Sequence, residues 1–157
     1  MTRVLFVCLG NICRSPTAQV VFEDLLRVRN LDADVAVDSA GTADYYVGKP
    51  PCAIMQRAAR RRGYEMGHLR ARQVKPDDFA SFDYLFAMDR ANFEDLLWMA
   101  PPEHHPKIHL FLEYAPELGS DVPDPYYQPG AADQVLDIIE EGAMALLTHF
   151  LQSEICP

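Results

Sequence analysis

The chain has 157 residues and a mass of 17.7 kDa, the size of one domain with room for a continuous core. Its 14 basic and 23 acidic residues leave a net charge of −9, which excludes general binding to nucleic acid or to an anionic membrane surface, so any anion has to be held locally. Apolar residues at 49 % and charged residues at 24 % are ordinary for a water-soluble domain, and no apolar run approaches the roughly 20 residues of a membrane span.

Met1-Thr2-Arg3 leads straight into the apolar run Val4-Leu5-Phe6-Val7, a buried strand with no secretion-signal core ahead of it, which implies a cytoplasmic protein. Cys8 to Ser15, reading CLGNICRS, follows as a tight loop that opens a helix. Backbone N–H groups of such a loop, with the helix N-terminus behind them, favour an anion. Cys8 and Arg14 sit in that cradle, where the same N–H groups and the guanidinium stabilise a thiolate.

Ser15 is placed to cap the first helix and Pro16 suits its first turn; Ala18, Val21, Phe22, Leu25 and Leu26 then form one apolar stripe. Val35 to Val37 reads as a short second strand, and Asp38 to Thr42 as a turn into an irregular segment holding Tyr45, Tyr46 and Gly48. Pro50-Pro51 opens a second helix to about Arg62, closed by Gly63. Its basic tail, Arg60 to Arg62, reads as charge complementing the helix dipole, with a substrate-docking patch as the other reading. Gly67 to Val74 is a polar loop, and Asp77 is a candidate cap for a short helix through Phe82.

Tyr84 to Met88 is apolar almost throughout, as expected of a strand buried on both faces. Asp89 to Met99 reads as a helix ended by Pro101-Pro102, and Ile108 to Leu112 as a fourth strand. The long loop from Tyr114 to Gly130 carries the cluster Asp124-Pro125-Tyr126-Tyr127, and loops of that length are usually functional. Ala132 to Gln152 is the longest helix, with Val135, Ile138, Ile139, Gly142, Ala143, Leu146, Phe150 and Leu151 on one face. The expected fold is therefore α/β: one domain over residues 1–157, a central four-stranded parallel sheet with helices on both faces, and the anion loop at the carboxyl end of strand one. Cys8, Cys13, Cys52 and Cys156 have neither the density of a disulfide framework nor the spacing of a zinc site, and Cys52 and Cys156 read as packing thiols. His104, His105 and His109 are interrupted by Pro106 and do not read as a metal site.

CLGNICRSP after a strand and DPYY in a late loop resemble the low-molecular-weight protein tyrosine phosphatases, as do VDSAGT at Val37 to Thr42, HLRARQV at His68 to Val74 and FDYLFAMD at Phe82 to Asp89. The resemblance covers nearly the whole chain and implies hydrolysis of phosphotyrosine, and of small aryl phosphates, through a phosphocysteine. It makes Cys8 the nucleophile, Arg14 the phosphate clamp and Asp124 the general acid and then base, with Leu9, Gly10, Asn11, Ile12, Cys13 and Ser15 completing the phosphate-binding loop. Ser39 and His68 would support Asn11, whose side chain suits a left-handed backbone, and the Ser15 hydroxyl would donate to Cys8 as well as cap. Gly10 would let the backbone approach phosphate closely. Tyr126 and Tyr127, with Leu9 and Ile12, would wall an aromatic substrate pocket; Tyr45 and Tyr46 are either a further wall or exposed loop aromatics. Many relatives carry tryptophan at the position of Tyr45, so this chain departs from the family there.

The expected partners are tyrosine-phosphorylated proteins or aryl phosphates, with inorganic phosphate as product, no nucleic acid, no membrane, no metal and no cofactor, acting as a monomer with a mildly acidic optimum. Redox sensitivity is expected through a Cys8–Cys13 disulfide, a small buried Cys13 side chain being the alternative. Arsenate reductases share the fold and loop but pass oxidation to a pair of cysteines on one mobile segment downstream, and this chain has no such pair; a silent phosphotyrosine-binding module would have lost Cys8 or Asp124.

Overall fold

The computed structural model describes residues 1–153, apart from the side chain of Pro129, so that Cys156 lies outside the described residues. Four parallel strands, β1 (Thr2–Cys8), β2 (Val35–Gly41), β3 (Tyr84–Ala87) and β4 (Ile108–Leu110), lie in the order β2-β1-β3-β4. The chain leaves β1 for a neighbour on one side and later returns to the other. The carboxyl end of β1 is therefore the point where the strand order reverses, the place where open α/β sheets hold ligands.

Alternation along β1 supplies both faces of the core. Val4, Phe6 and Cys8 point into one apolar cluster with Phe22, Phe86, Phe111 and Phe150, whereas Leu5 and Val7 point into the other with Phe79, Leu85, Leu96 and Ile108. Helices α1 (Arg14–Val28) and α5 (Ala132–Gln152) cover the first face with α2 (Ala53–Arg61); α3 (Pro76–Ser81) and α4 (Arg90–Met99) cover the second. Gly142 allows α5 to lie close to the turn after β4, because a Cβ there would stand 2.6 Å from the Phe111 ring.

Several boundaries differ from the sequence reading. β2 runs on through Asp38, Ser39, Ala40 and Gly41, residues with turn chemistry, because Leu5 to Cys8 supply a parallel ladder for each of them. The fourth strand stops at Leu110, since Phe111 and Leu112 turn into a 3-10 helix that buries both side chains. α2 starts at Ala53, after Pro50-Pro51 rather than at it, and α3 starts at Pro76. Asp77 does not cap α3; the buried Asp78 carboxylate accepts from the Lys75 N–H at 2.8 Å instead. On α5, Leu136 and Leu147 are buried and Leu151 is exposed, because the helix packs against α1 and the 3-10 turn at the same time and so buries a wider stripe. Arg61 and Arg62 pair with Asp133, Asp137 and Glu140 of α5, and Arg60 with Glu65, so the basic tail joins two helices.

Candidate active site

Cys8 ends β1 and is buried, and the chain then turns through Leu9 to Cys13 into α1. The turn is closed by Asn11, which has a left-handed backbone (φ +56°) and whose N–H donates to Cys8 Sγ at 3.3 Å. Such a conformation costs least at glycine and asparagine. The helix begins at Arg14, two residues earlier than the Ser15 cap would require, and no side chain caps it. Its first-turn N–H groups thus remain suited to an anion. Ser15, inside that turn, faces back toward the loop and lies 2.9 Å from Cys8 Sγ. When the sulfur is ionised, the hydroxyl has to be the donor.

The Asn11 side chain holds the loop to its surroundings. Its Nδ2 donates to Ser15 Oγ at 2.8 Å and to Ser39 Oγ at 3.0 Å, and its Oδ1 accepts the Arg72 backbone N–H at 3.0 Å. Ser39 in turn donates to the buried Gln19 at 2.7 Å. His68, expected beside Asn11, is instead exposed and lies against Glu23 and Glu65. Arg72 takes the position expected of it, because the segment running back along Gly41 presents its backbone there, with Gly41 N–H donating to Arg72 O and Val74 N–H to Gly41 O, both at 2.8 Å. The Arg72 guanidinium is fixed between Asp38 and Asp78 at 2.9 to 3.3 Å. Burial alone would weaken its hold on the proton, but the two carboxylates outweigh that and raise its pKa.

Arg14 is buried with its guanidinium directed to the carboxyl edge of the sheet. Nη1 donates to Asp89 Oδ2 at 2.6 Å and to the Val122 carbonyl at 3.0 Å, and Nη2 reaches Asp124 Oδ2 at 3.4 Å. Burial opposes its charge, yet Cys8, Asp89 and Asp124 together raise its pKa. Asp89, immediately after β3 and its Met88 extension, does two things at once: its Oδ1 accepts the Asn92 N–H at 2.8 Å and caps α4, while its Oδ2 orients Arg14. The loop carrying Asp124 is pinned to the end of β3 by the Val122 N–H donating to Met88 O at 2.9 Å. The Tyr126 N–H donates to Asp124 Oδ1 at 3.0 Å and fixes the carboxylate's direction.

One pocket brings together Cys8, Leu9, Gly10, Ile12, Cys13, Arg14, Tyr45, Tyr46, Asp124, Tyr126 and Tyr127. Of the candidate residues of the sequence, only His68 stands apart from this loop and its supports. Tyr46 packs over Gly10 so closely that a Cβ there would stand 2.7 Å from the ring, so the close approach that requires this glycine is made by a tyrosine. Tyr45, Tyr46, Tyr126 and Tyr127 form a continuous series of ring contacts, with centroids 5.2 to 6.4 Å apart. A hydrogen bond to Tyr126 is the largest cause holding the Tyr46 phenol in its protonated form, up to about 12.

Cys13, expected to pair with Cys8, is joined by a disulfide to Cys52, and among the described residues Cys8 is the free thiol. The reason is local: the Cys52 N–H donates to the Ile12 carbonyl at 2.7 Å, which draws the start of α2 against the loop and puts the Cys13 and Cys52 Cα atoms 5.4 Å apart. Sequence reasoning therefore missed Cys52, Gln19, Arg72, Asp78 and Asp89. A signal existed for the last, an acidic residue ending an apolar strand that neighbours β1; Arg72 stood in the noted HLRARQV motif, but nothing local told it from Arg70.

An alternating α/β domain with a cysteine, an arginine and an opposing carboxylate around one anion loop defines a class of phosphoryl-transfer site rather than a particular enzyme. The family model for low molecular weight phosphotyrosine protein phosphatase matches residues 3–155, and the chain belongs to that family. It is 41% identical over 148 residues to the low molecular weight protein-tyrosine-phosphatase YfkJ of Bacillus subtilis, covering 94% of both chains. The crystal structure of YfkJ superposes with a TM-score of 0.93 at 39% identity, over 98% of this chain and 97% of that one. The human low molecular weight phosphotyrosine protein phosphatase is 44% identical over 126 residues, 79% of each chain. A protein tyrosine phosphatase of Entamoeba histolytica, crystallised with Hepes in its active site, superposes with a TM-score of 0.92 at 35% identity, over 97% and 98% of the two chains.

Proposed function

We propose that this protein hydrolyses phosphotyrosine through a phosphocysteine, with Cys8 as nucleophile, Arg14 as clamp and Asp124 as general acid and base. The observation that carries the reading is the single pocket in which a buried thiol and a buried guanidinium share one loop and a carboxylate faces them, 3.4 Å from the guanidinium. Cys8 Sγ attacks phosphorus in line while the bond to the tyrosine oxygen breaks, and Asp124 gives that oxygen its proton. Two phosphoryl oxygens take the Arg14 fork, replacing the Asp124 carboxylate at Nη2 and releasing it to act on the leaving group. Loop N–H groups stabilise the charge of the transition state. Asp124 then takes a proton from the water that attacks phosphorus, inorganic phosphate leaves and the Cys8 thiolate is restored.

Aromatic walls at Tyr46, Tyr126 and Tyr127, with Leu9 and Ile12, suit a flat leaving group better than the short stem of phosphoserine. The bulk of Ile12 sets the loop apart from related phosphoarginine phosphatases, which tend to carry a threonine there. A cytoplasmic, monomeric enzyme acting on tyrosine-phosphorylated proteins and without nucleic-acid partners fits the net charge of −9. Among the described residues no helix is long and apolar enough to cross a membrane. For redox sensitivity the relevant neighbour of Cys8 is Cys13, which lines the same pocket; it can pair with Cys8 only after its disulfide to Cys52 is opened by a thiol.

The test is hydrolysis of a phosphotyrosine peptide and an aryl phosphate in the presence of a chelator. The wild type is expected to turn over both, Cys8→Ser neither, and Asp124→Ala is expected to lose more on poor leaving groups than on good ones. Activity surviving in Cys8→Ser would exclude the mechanism.

A further inference from the structure

Beside the catalytic pocket lies a second groove that shares two walls with it. Leu9 and Tyr45 line both. The far wall comes from α4, where Asp95 and Trp98, three positions apart and hence on one face of the helix, stand with Met99. Trp98 is 89% exposed and Tyr45 is 70% exposed, so two aromatic side chains flank the groove with their faces largely in water. A tryptophan can bury on the order of 150–250 Å², and here almost none of it is used by the fold. The Asp95 carboxylate is exposed and pairs with no cation among the described residues.

We propose that this groove is a subsite for a basic residue, arginine above all, next to the phosphotyrosine in a peptide substrate. The proposal rests on the reading of the first pocket as a phosphotyrosine site. The two spaces share Leu9 and Tyr45 as lining, and an extended chain advances about 3.3–3.6 Å per residue, so the residues flanking a bound phosphotyrosine are the ones that can reach the groove. A guanidinium is planar, carries donors for one carboxylate and stacks on indole and phenol faces; Asp95, Trp98 and Tyr45 supply those partners together. An acidic neighbour would meet the Asp95 carboxylate and the overall charge of −9 without compensation.

Three sets of phosphotyrosine peptides test this, with arginine, alanine or glutamate at each position directly flanking the phosphotyrosine, and a control with arginine moved five residues away. At one of the two flanking positions arginine is expected to raise kcat/KM over alanine by about fivefold to thirtyfold, with glutamate below alanine. Trp98→Ala and Asp95→Asn should each remove most of that advantage while leaving hydrolysis of a bare aryl phosphate unchanged. Equal kcat/KM for arginine and alanine peptides, an equal gain from the distant arginine, or an advantage that persists in both variants would overturn the subsite. Failure of the wild type to hydrolyse the bare aryl phosphate would instead remove the phosphatase reading on which it stands.

Discussion

Asn11 is the residue on which the anion loop most depends, and two substitutions separate its two contributions. Asn11→Gly removes the bonds to Ser15, Ser39 and the Arg72 N–H but keeps a residue at ease at φ +56°; Asn11→Ala removes the bonds and adds left-handed strain. Each net hydrogen bond is worth about 1 kcal/mol, and the enclosed Arg72 N–H left without its acceptor adds to that, for a loss of about 3–4 kcal/mol in Asn11→Gly. Alanine in the left-handed region costs roughly 1–2 kcal/mol more. Urea unfolding monitored by circular dichroism gives both differences from the shift in midpoint at constant slope. Turnover of an aryl phosphate, measured where both variants are still folded, should fall in both, because Ser15 and the loop N–H groups lose their alignment to Cys8. The reasoning is refuted if Asn11→Gly stays within about 1 kcal/mol of wild type, or if alanine and glycine give the same stability.

Asp89→Asn has one amide oxygen for two tasks, and when that oxygen caps α4 its NH2 faces the buried Arg14 Nη1, so stability should fall by about 3 kcal/mol and kcat/KM roughly tenfold to a hundredfold; Asp89→Ala should lose the cap as well, about 1 kcal/mol further. Equal stability of the two variants with undiminished kcat/KM would separate Asp89 from both tasks. Opening the Cys13–Cys52 disulfide, which spans 39 residues, should lower stability by up to about 4 kcal/mol by the chain-entropy relation, read from the melting of Cys52→Ser. The same variant, with Cys13 free to resolve an oxidised Cys8, should recover more activity with thiol after peroxide treatment than the disulfide-bonded wild type, and equal recovery would count against a role for Cys13. Glu23 is raised above its ordinary 4.5, first by burial, so the native state binds the proton more tightly than the unfolded chain. Its contribution is complete below pH 4.5 and is lost as pH rises through the folded pKa; Glu23→Gln should therefore melt higher than wild type at pH 7 and converge with it in acid.

What the sequence disclosed of this fold was set by periodicity, and what it concealed was set by tertiary contact. The apolar runs at Val4 to Val7 and Tyr84 to Ala87 are strands because both faces are buried, and the limits of α5 follow from its pattern. Asp38 to Gly41 carries turn chemistry and is still a strand, since the β1 ladder outweighs local preference. Cys8, Arg14 and Asp124 were legible because a motif places them, whereas Arg72 enters the site through its backbone N–H, a group every residue but proline possesses. No spacing rule pairs Cys13 with Cys52 across 39 residues, and only the hydrogen bond that draws α2 onto the loop does so. His68 lay in the right motif, but the neighbouring turn directs it to the surface.

The central claim is that the phosphoryl group passes through Cys8. Rapid acid quench of the enzyme during turnover of an aryl phosphate, followed by mass spectrometry of its peptides, tests this most directly. A phosphoryl adduct on Cys8 in wild type, increased in Asp124→Ala for a good leaving group and absent in Cys8→Ser, is the predicted result. Turnover with no adduct on Cys8, or an adduct on another residue, would contradict it.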